Sequence, residues 1–181
     1  MGLLERTVQR LESVAGSSDP GAQSSSAVAE ESDCELPEVK DEQDFHLRTF
    51  VGRDEMLEFY GRHFIPKMPA DTRLTPVCRT VGQGRVIDEM IFAFTHDITM
   101  DWMLPGVAPT GRQVEVPLVV VVQLREGQVV CERIYWDQAS VLVQLGLLDA
   151  SSLPVIGTQT ARKVLDPSLP SNELIRRAGG G

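Results

Sequence analysis

The chain has 181 residues, with 17 basic against 26 acidic side chains and a net charge of -9. Nine of the acids stand between Asp19 and Asp44 against the single base Lys40, so the rest of the chain carries only -1. A nearly neutral body without a basic stripe argues against duplex nucleic-acid binding, and no apolar run reaches the roughly 18–20 residues of a membrane span.

Leu3, Leu4, Val8, Leu11 and Val14 recur at helical spacing, so residues 1–16 read as a short amphipathic helix that Gly16 ends. This start lacks the uniform apolar stretch of a signal peptide. Cys34, Cys78 and Cys131 are odd in number and widely spaced, which fits neither a disulfide framework nor a zinc ribbon. The expected compartment is the reducing cytoplasm. Residues 17–44, rich in Ser, Ala, Glu and Asp, read as a disordered acidic linker, with an acidic interaction tail as the sharper alternative.

Order is expected from Phe45. Gly52-Arg53-Asp54-Glu55 starts a helix with acids in its first turn, where the helix dipole favours them. Met56, Leu57, Phe59, Tyr60, Phe64 and Ile65 give it a thick apolar face, and Pro66 with Pro69 stops it. The period then changes to that of strands. Arg73–Val81 is one, Gly82-Gln83-Gly84 a tight turn, and Arg85 to about Met100 a long second strand. Pro105–Gly111 is a loop, and Val114–Leu124 a nearly all-apolar strand expected to be buried on both faces. Arg125-Glu126-Gly127-Gln128 turns into Val129–Trp136, after which Gln138–Leu148 is helical or irregular. Residues 149–181 form a proline-punctuated tail. A helix followed by a four-strand meander predicts an α+β fold, a curved antiparallel sheet over helices.

Such a sheet leaves an apolar pocket with a few placed polar groups. The polar residues that interrupt the apolar strands are therefore the candidates. Strand alternation puts Phe92, Phe94, His96, Met100 and Trp102 on one face and Asp97 and Asp101 on the other. On the last strand both alternating sets, Glu132 with Trp136 and Arg133 with Tyr135 and Asp137, hold charges, so alternation does not decide which set faces inward.

Each candidate also has a structural reading. His96 fits a hydrogen-bonded core residue, Asp101 a loop cap, Asp137 the N-cap of the next helix, and Glu132 with Arg133 ordinary cross-strand charges. An Asp or Glu together with a His in one apolar cavity is the minimum for general acid–base work. No nucleophile elbow of the Gly-x-Ser-x-Gly type occurs, and His46, His63 and His96 lack the spacing of metal ligands.

Phe94-Thr95-His96, Pro105-Gly106, Pro109-Thr110-Gly111-Arg112, Tyr135-Trp136-Asp137 and Gln144-Leu145-Gly146 together resemble the SnoaL-like polyketide cyclase family of the nuclear-transport-factor-2-like superfamily. The resemblance runs from about Phe45 to Leu148. It implies a cone-shaped α+β fold, commonly dimeric through the sheet, working without a cofactor. It further implies cyclisation, isomerisation or lactone-type hydrolysis of a small apolar polyketide-like or terpenoid carbonyl compound by acid–base catalysis. On that reading Asp137 transfers the proton, His96 partners it or polarises a carbonyl, and Asp101 or Glu132 is a second carboxylate. Phe94, Trp102, Tyr135 and Trp136 would shape the substrate site.

Two departures stand out. Glu132 occupies a position where relatives often have His, and Ile134 one where they often have Asp. Residues 17–44 also interrupt the place where relatives keep a second helix that closes the cone, either opening the pocket or folding over it as a lid. The alternative function is a non-catalytic ligand-binding or dimerisation module of the same fold.

Overall fold

The strand-forming runs rich in Val, Ile and Phe assemble into a five-stranded antiparallel sheet in the computed structural model, which describes residues 47–51, 53–126 and 128–179. The elements in chain order are β1 (Leu47–Val51), α1 (Arg53–Glu58), a π-helix (Phe59–Phe64), a 3-10 turn (Ile65–Lys67), β2 (Arg73–Gly82), β3 (Arg85–Thr95), β4 (Gln113–Arg125) and β5 (Gln128–Trp136). Three helices follow: α2 (Gln138–Leu145), α3 (Gln159–Leu165) and α4 (Glu173–Gly179). The strands lie in the order β1-β5-β4-β3-β2. The expected helix over residues 1–16 and the expected linker over 17–44, lid or not, lie outside the described residues.

The meander was expected to have four strands; β1 is a fifth, paired with β5 from Leu47↔Tyr135 to Val51↔Cys131. Its pattern, Leu47-Arg48-Thr49-Phe50-Val51, is too short to stand out beside the acidic run before it. The β2–β3 hairpin closes on Gln83-Gly84, with Gly84 at φ +66°, a conformation glycine adopts without steric cost. Register shifts at Pro76/Cys78 and at Gln123/Leu124 bend β2 and the β4–β5 pair, and such bulges curve a sheet.

β3 ends five residues before the strand expected from its sequence. Asp71 explains the stop: its carboxylate accepts the Thr95 backbone N–H at 2.9 Å and the Thr95 hydroxyl at 2.6 Å. Beyond it, His96 N–H donates to the Arg112 carbonyl, and the His96 carbonyl accepts from Thr110 and Gly111, so this stretch pairs with the returning loop. Alternation therefore fails past Thr95. Met100 and Trp102 are both buried, but in a turn closed by Met103 and Leu104 N–H groups on the Met100 carbonyl.

β4 also departs from expectation. Val114, Val116, Leu118 and Val122 are buried, while Glu115, Pro117, Val119 and Val121 on the opposite face are half-buried. One face therefore carries the core. Phe92, Phe94, Val116, Leu118, Ile134 and Trp136 from the sheet meet Phe59, the Met100–Leu104 turn, and Val141 and Leu145 of α2.

Candidate functional site

Register settles which side of β5 faces the core. Leu118↔Trp136, Val120↔Ile134 and Val122↔Glu132 are paired with β4, and Ile134 and Trp136 belong to the core. Because directly opposed residues share a face, Glu132 lies on the core side. Tyr135 lies on the other and is 40% exposed. The alternation that left β5 undecided in the sequence is thus decided by its neighbour, and Tyr135 does not join the expected substrate wall.

Glu132 is 7% exposed. A carboxyl there needs a partner, since burying an unpaired charge is costly. Tyr60 supplies it, donating from its hydroxyl to Oε1 at 2.9 Å and Oε2 at 2.7 Å. The π-helix presents Tyr60, and single π-turns recur at functional sites because the extra residue per turn re-aims side chains. Burial pushes the Glu132 carboxyl above its ordinary range, and the Tyr60 hydrogen bond partly counters it. Tyr60 is itself driven well up by burial and by the neighbouring Glu132 charge.

Next to this pair stands an aromatic wall. Phe59 touches Tyr60 edge-on at 5.4 Å between centroids, and Phe64 meets Trp102 at 4.9 Å. Trp102 meets Phe92 and Trp136, each at 5.8 Å, the spacing and tilt that aromatic quadrupoles favour. Phe94, Trp102 and Trp136 are thus brought together in the core. The Trp136 indole N–H is occupied by Gln138 Oε1 at 2.6 Å, and Gln138 in turn donates to the Met103 carbonyl.

The remaining candidates have partners other than Glu132 and Tyr60. His96 is 0% exposed, and its Nδ1 accepts from the Thr110 N–H at 3.3 Å and lies 3.2 Å from the Thr110 hydroxyl. That bond assigns the proton to Nε2, which has no hydrogen-bond partner among the described residues. Burial holds the imidazole below its usual range, opposed by Asp97. Asp137 is exposed and caps α2, accepting the Ser140 N–H at 3.1 Å. Asp101 is half-buried and pairs with Lys67 at 3.5 Å. His96 and Asp137 thus each have a structural partner, and the sequence-derived pairing of the two is not formed by any hydrogen bond between described residues.

Sequence reasoning passed over Tyr60 by reading it as one more apolar residue of its helix. The available signal was its hydroxyl: a tyrosine set between Phe59 and Phe64 needs a hydrogen-bond partner when buried. A second polar pair was also passed over. Arg79 and Asp88 are opposed across the hairpin, a register that the two-residue turn fixes. Arg79 Nε and Nη2 each donate to Asp88 at 2.6 Å, and this bond raises the guanidinium pKa further.

No family model and no curated protein matches this sequence. Solved structures do. AclR, a candidate hydroxylase from Streptomyces galilaeus, is 24% identical over 55% of this chain and 62% of its own, with a TM-score of 0.41. A candidate SnoaL-like polyketide cyclase from Jannaschia sp. CCS1 is 22% identical over 53% of this chain and 62% of its own, at 0.43. IdmH, a candidate polyketide cyclase from Streptomyces antibioticus, is 26% identical over 51% of this chain and 63% of its own, at 0.39. This chain therefore spans somewhat less than two thirds of each of these three.

Proposed function

We propose that the protein is a cofactor-free acid–base enzyme acting on a small apolar carbonyl compound of polyketide or terpenoid type, as a cyclase, isomerase or lactone-type hydrolase. One observation carries this reading: a buried carboxyl, Glu132, held by a phenol beside an aromatic wall. In cyclisation or isomerisation Glu132 takes the proton next to the carbonyl and returns it to the product; in hydrolysis it takes the proton of the attacking water and returns it to the leaving ring oxygen. A carboxyl raised by burial is the better matched for that exchange near neutral pH. Tyr60 fixes the orientation of the carboxyl and steadies its ionised form, and Phe64 and Trp102 supply apolar contact to the ligand. Asp137 is left to its cap and His96 to its bond with Thr110, so the role that the motifs suggested for Asp137 passes to Glu132.

The test needs no natural substrate. Exchange of the α-protons of 2-tetralone into heavy water, followed by proton NMR, reads the proposed step directly. The protein should accelerate exchange over buffer, Glu132→Gln should remove the acceleration, and Tyr60→Phe should reduce it. Buffer-level exchange with the unaltered protein, or full activity in Glu132→Gln, overturns the proposal.

A second reading, ligand binding without chemistry, is favoured by the isolation of Glu132 from the other candidate carboxylates, Asp101 in its ion pair and Asp137 at its cap. It calls for binding of apolar ketones with no exchange. The sheet-mediated homodimer also belongs to this proposal. Half-buried Val119 and Val121, with exposed Ile87 and Tyr135, give the outer face apolar surface for it, and sedimentation equilibrium tests it.

A further inference from the structure

The core-bearing face of the sheet holds a second polar pair that the proton-transfer step does not use. Asp88 is registered with Val120, and Val120 with the core residue Ile134, so Asp88 and its partner Arg79 share a face with Glu132. Val86 and Val122 lie between the two pairs and are buried. Arg79 stands on β2, three strand spacings from β5, so its backbone lies roughly 14 Å across the sheet from that of Glu132, with Asp88 on β3 between them.

The Arg79–Asp88 side chains are only 28% and 20% exposed, the most enclosed ion pair among the described residues; every other such pair there has at least one side chain more than 40% exposed. Taking two charges out of water offsets most of their attraction, and an apolar pair at such a position commonly holds a fold as well. The hairpin is already fixed by the backbone ladder on either side of it. Stability is therefore a weak reason for the pair.

Its geometry supplies a better one. Asp88 engages Nε and Nη2 and so fixes the guanidinium plane, while Nη1 donates to no described residue. The pair is neutral as a whole. It suits a neutral acceptor oxygen better than a carboxylate, which Asp88 would repel.

Resting on the proposed function above, we infer that Arg79, held by Asp88, is a second subsite that binds a neutral carbonyl oxygen at the far end of the ligand. The ligand class is accordingly an apolar ring compound with two oxygen functions, one toward Glu132 and Tyr60 and the other at Arg79, whose guanidinium reaches back from β2 to Asp88 on β3.

Two probes of nearly equal shape separate this from simple apolar binding: 6-acetyl-2-naphthol, which has the distal carbonyl, and 6-ethyl-2-naphthol, which lacks it. Fluorescence titration of the full chain should show the acetyl compound binding about ten-fold tighter, the usual worth of one hydrogen bond from a charged donor. In the double variant Arg79→Met/Asp88→Leu the preference for the acetyl compound should vanish. Arg79→Lys should lose most of the preference while remaining charged. Equal binding to the unaltered protein, no binding of either probe, or a preference that survives in both variants overturns the inference. Glu132→Gln reports separately on the proposed function. If it weakens both probes by one factor, the naphthol end sits at Glu132; if it weakens neither, that placement fails, and with it the two-ended ligand inferred here.

Discussion

Tyr60 and Glu132 are 72 positions apart in sequence, yet the phenol of one donates to both carboxylate oxygens of the other. The contact joins the π-helix to the middle of β5, across the face that carries the aromatic core. It makes Glu132 the buried carboxyl with a defined partner, and its consequences reach beyond the proposed chemistry.

Because burial raises the Glu132 carboxyl in the folded state, the fold binds a proton that the unfolded chain has released above about pH 4.5. The stabilising contribution is complete below that pH and is lost as pH rises through the folded value. Glu132→Gln should therefore gain stability relative to the unaltered protein at pH 8 more than at pH 4, measured by thermal unfolding across pH. Tyr60→Phe should cost about 1–3 kcal/mol, with the larger cost at high pH, where the carboxylate is left without its donor.

His96 has the opposite sign. Its imidazole is held below the ordinary 6.5, so as pH falls through about 6.5 the unfolded chain takes up a proton that the folded one refuses. Stability should be complete above that pH and decline toward the lower folded value. In His96→Asn this segment of the stability–pH curve should vanish, and a difference curve between the two proteins by urea unfolding isolates it.

Gly146 ends α2 at φ +71°, with its N–H on the Leu142 and Val143 carbonyls. A side chain there meets the Arg112 guanidinium as well as the left-handed backbone penalty. Gly146→Ala should destabilise by about 1–2 kcal/mol. At the other end of the same helix, Asp137→Ala should cost about 1 kcal/mol, whereas Asp137→Asn should keep nearly all of the stability, because an amide oxygen caps as well. Chemical denaturation of the three variants checks both.

Trp102 is buried against Phe59, Phe64, Phe92 and Trp136. Trp102→Ala should lower stability by about 3–5 kcal/mol. Trp102→Phe should keep the fold and abolish the coupled tryptophan signal in circular dichroism, since the chain has only two tryptophans and they lie 5.8 Å apart.

The two hairpins and the α+β class could be read along the chain, because turn chemistry and the two-residue period are local signals. Glu132 was legible as a candidate for the same reason: a charge interrupting an apolar strand. Its role was not. A residue's face on β5 depends on the register with β4, and its partner comes from an element 72 positions earlier. The overrun of β3 has the same origin, since Asp71 and Arg112, distant in sequence, take the backbone groups that would have extended it.

What the sequence determined by itself is local: where the chain turns, which segments are apolar on one side, and the confinement of almost all net charge to residues 19–44. Tertiary structure alone decided which polar side chains face the core and which of them meet. Alternation within a strand yields two equivalent faces, and only pairing with neighbouring strands tells them apart. By that criterion Asp137 is a helix cap, Tyr135 lies on the outer face, and Glu132 with Tyr60 and Arg79 with Asp88 hold the polar positions on the core side.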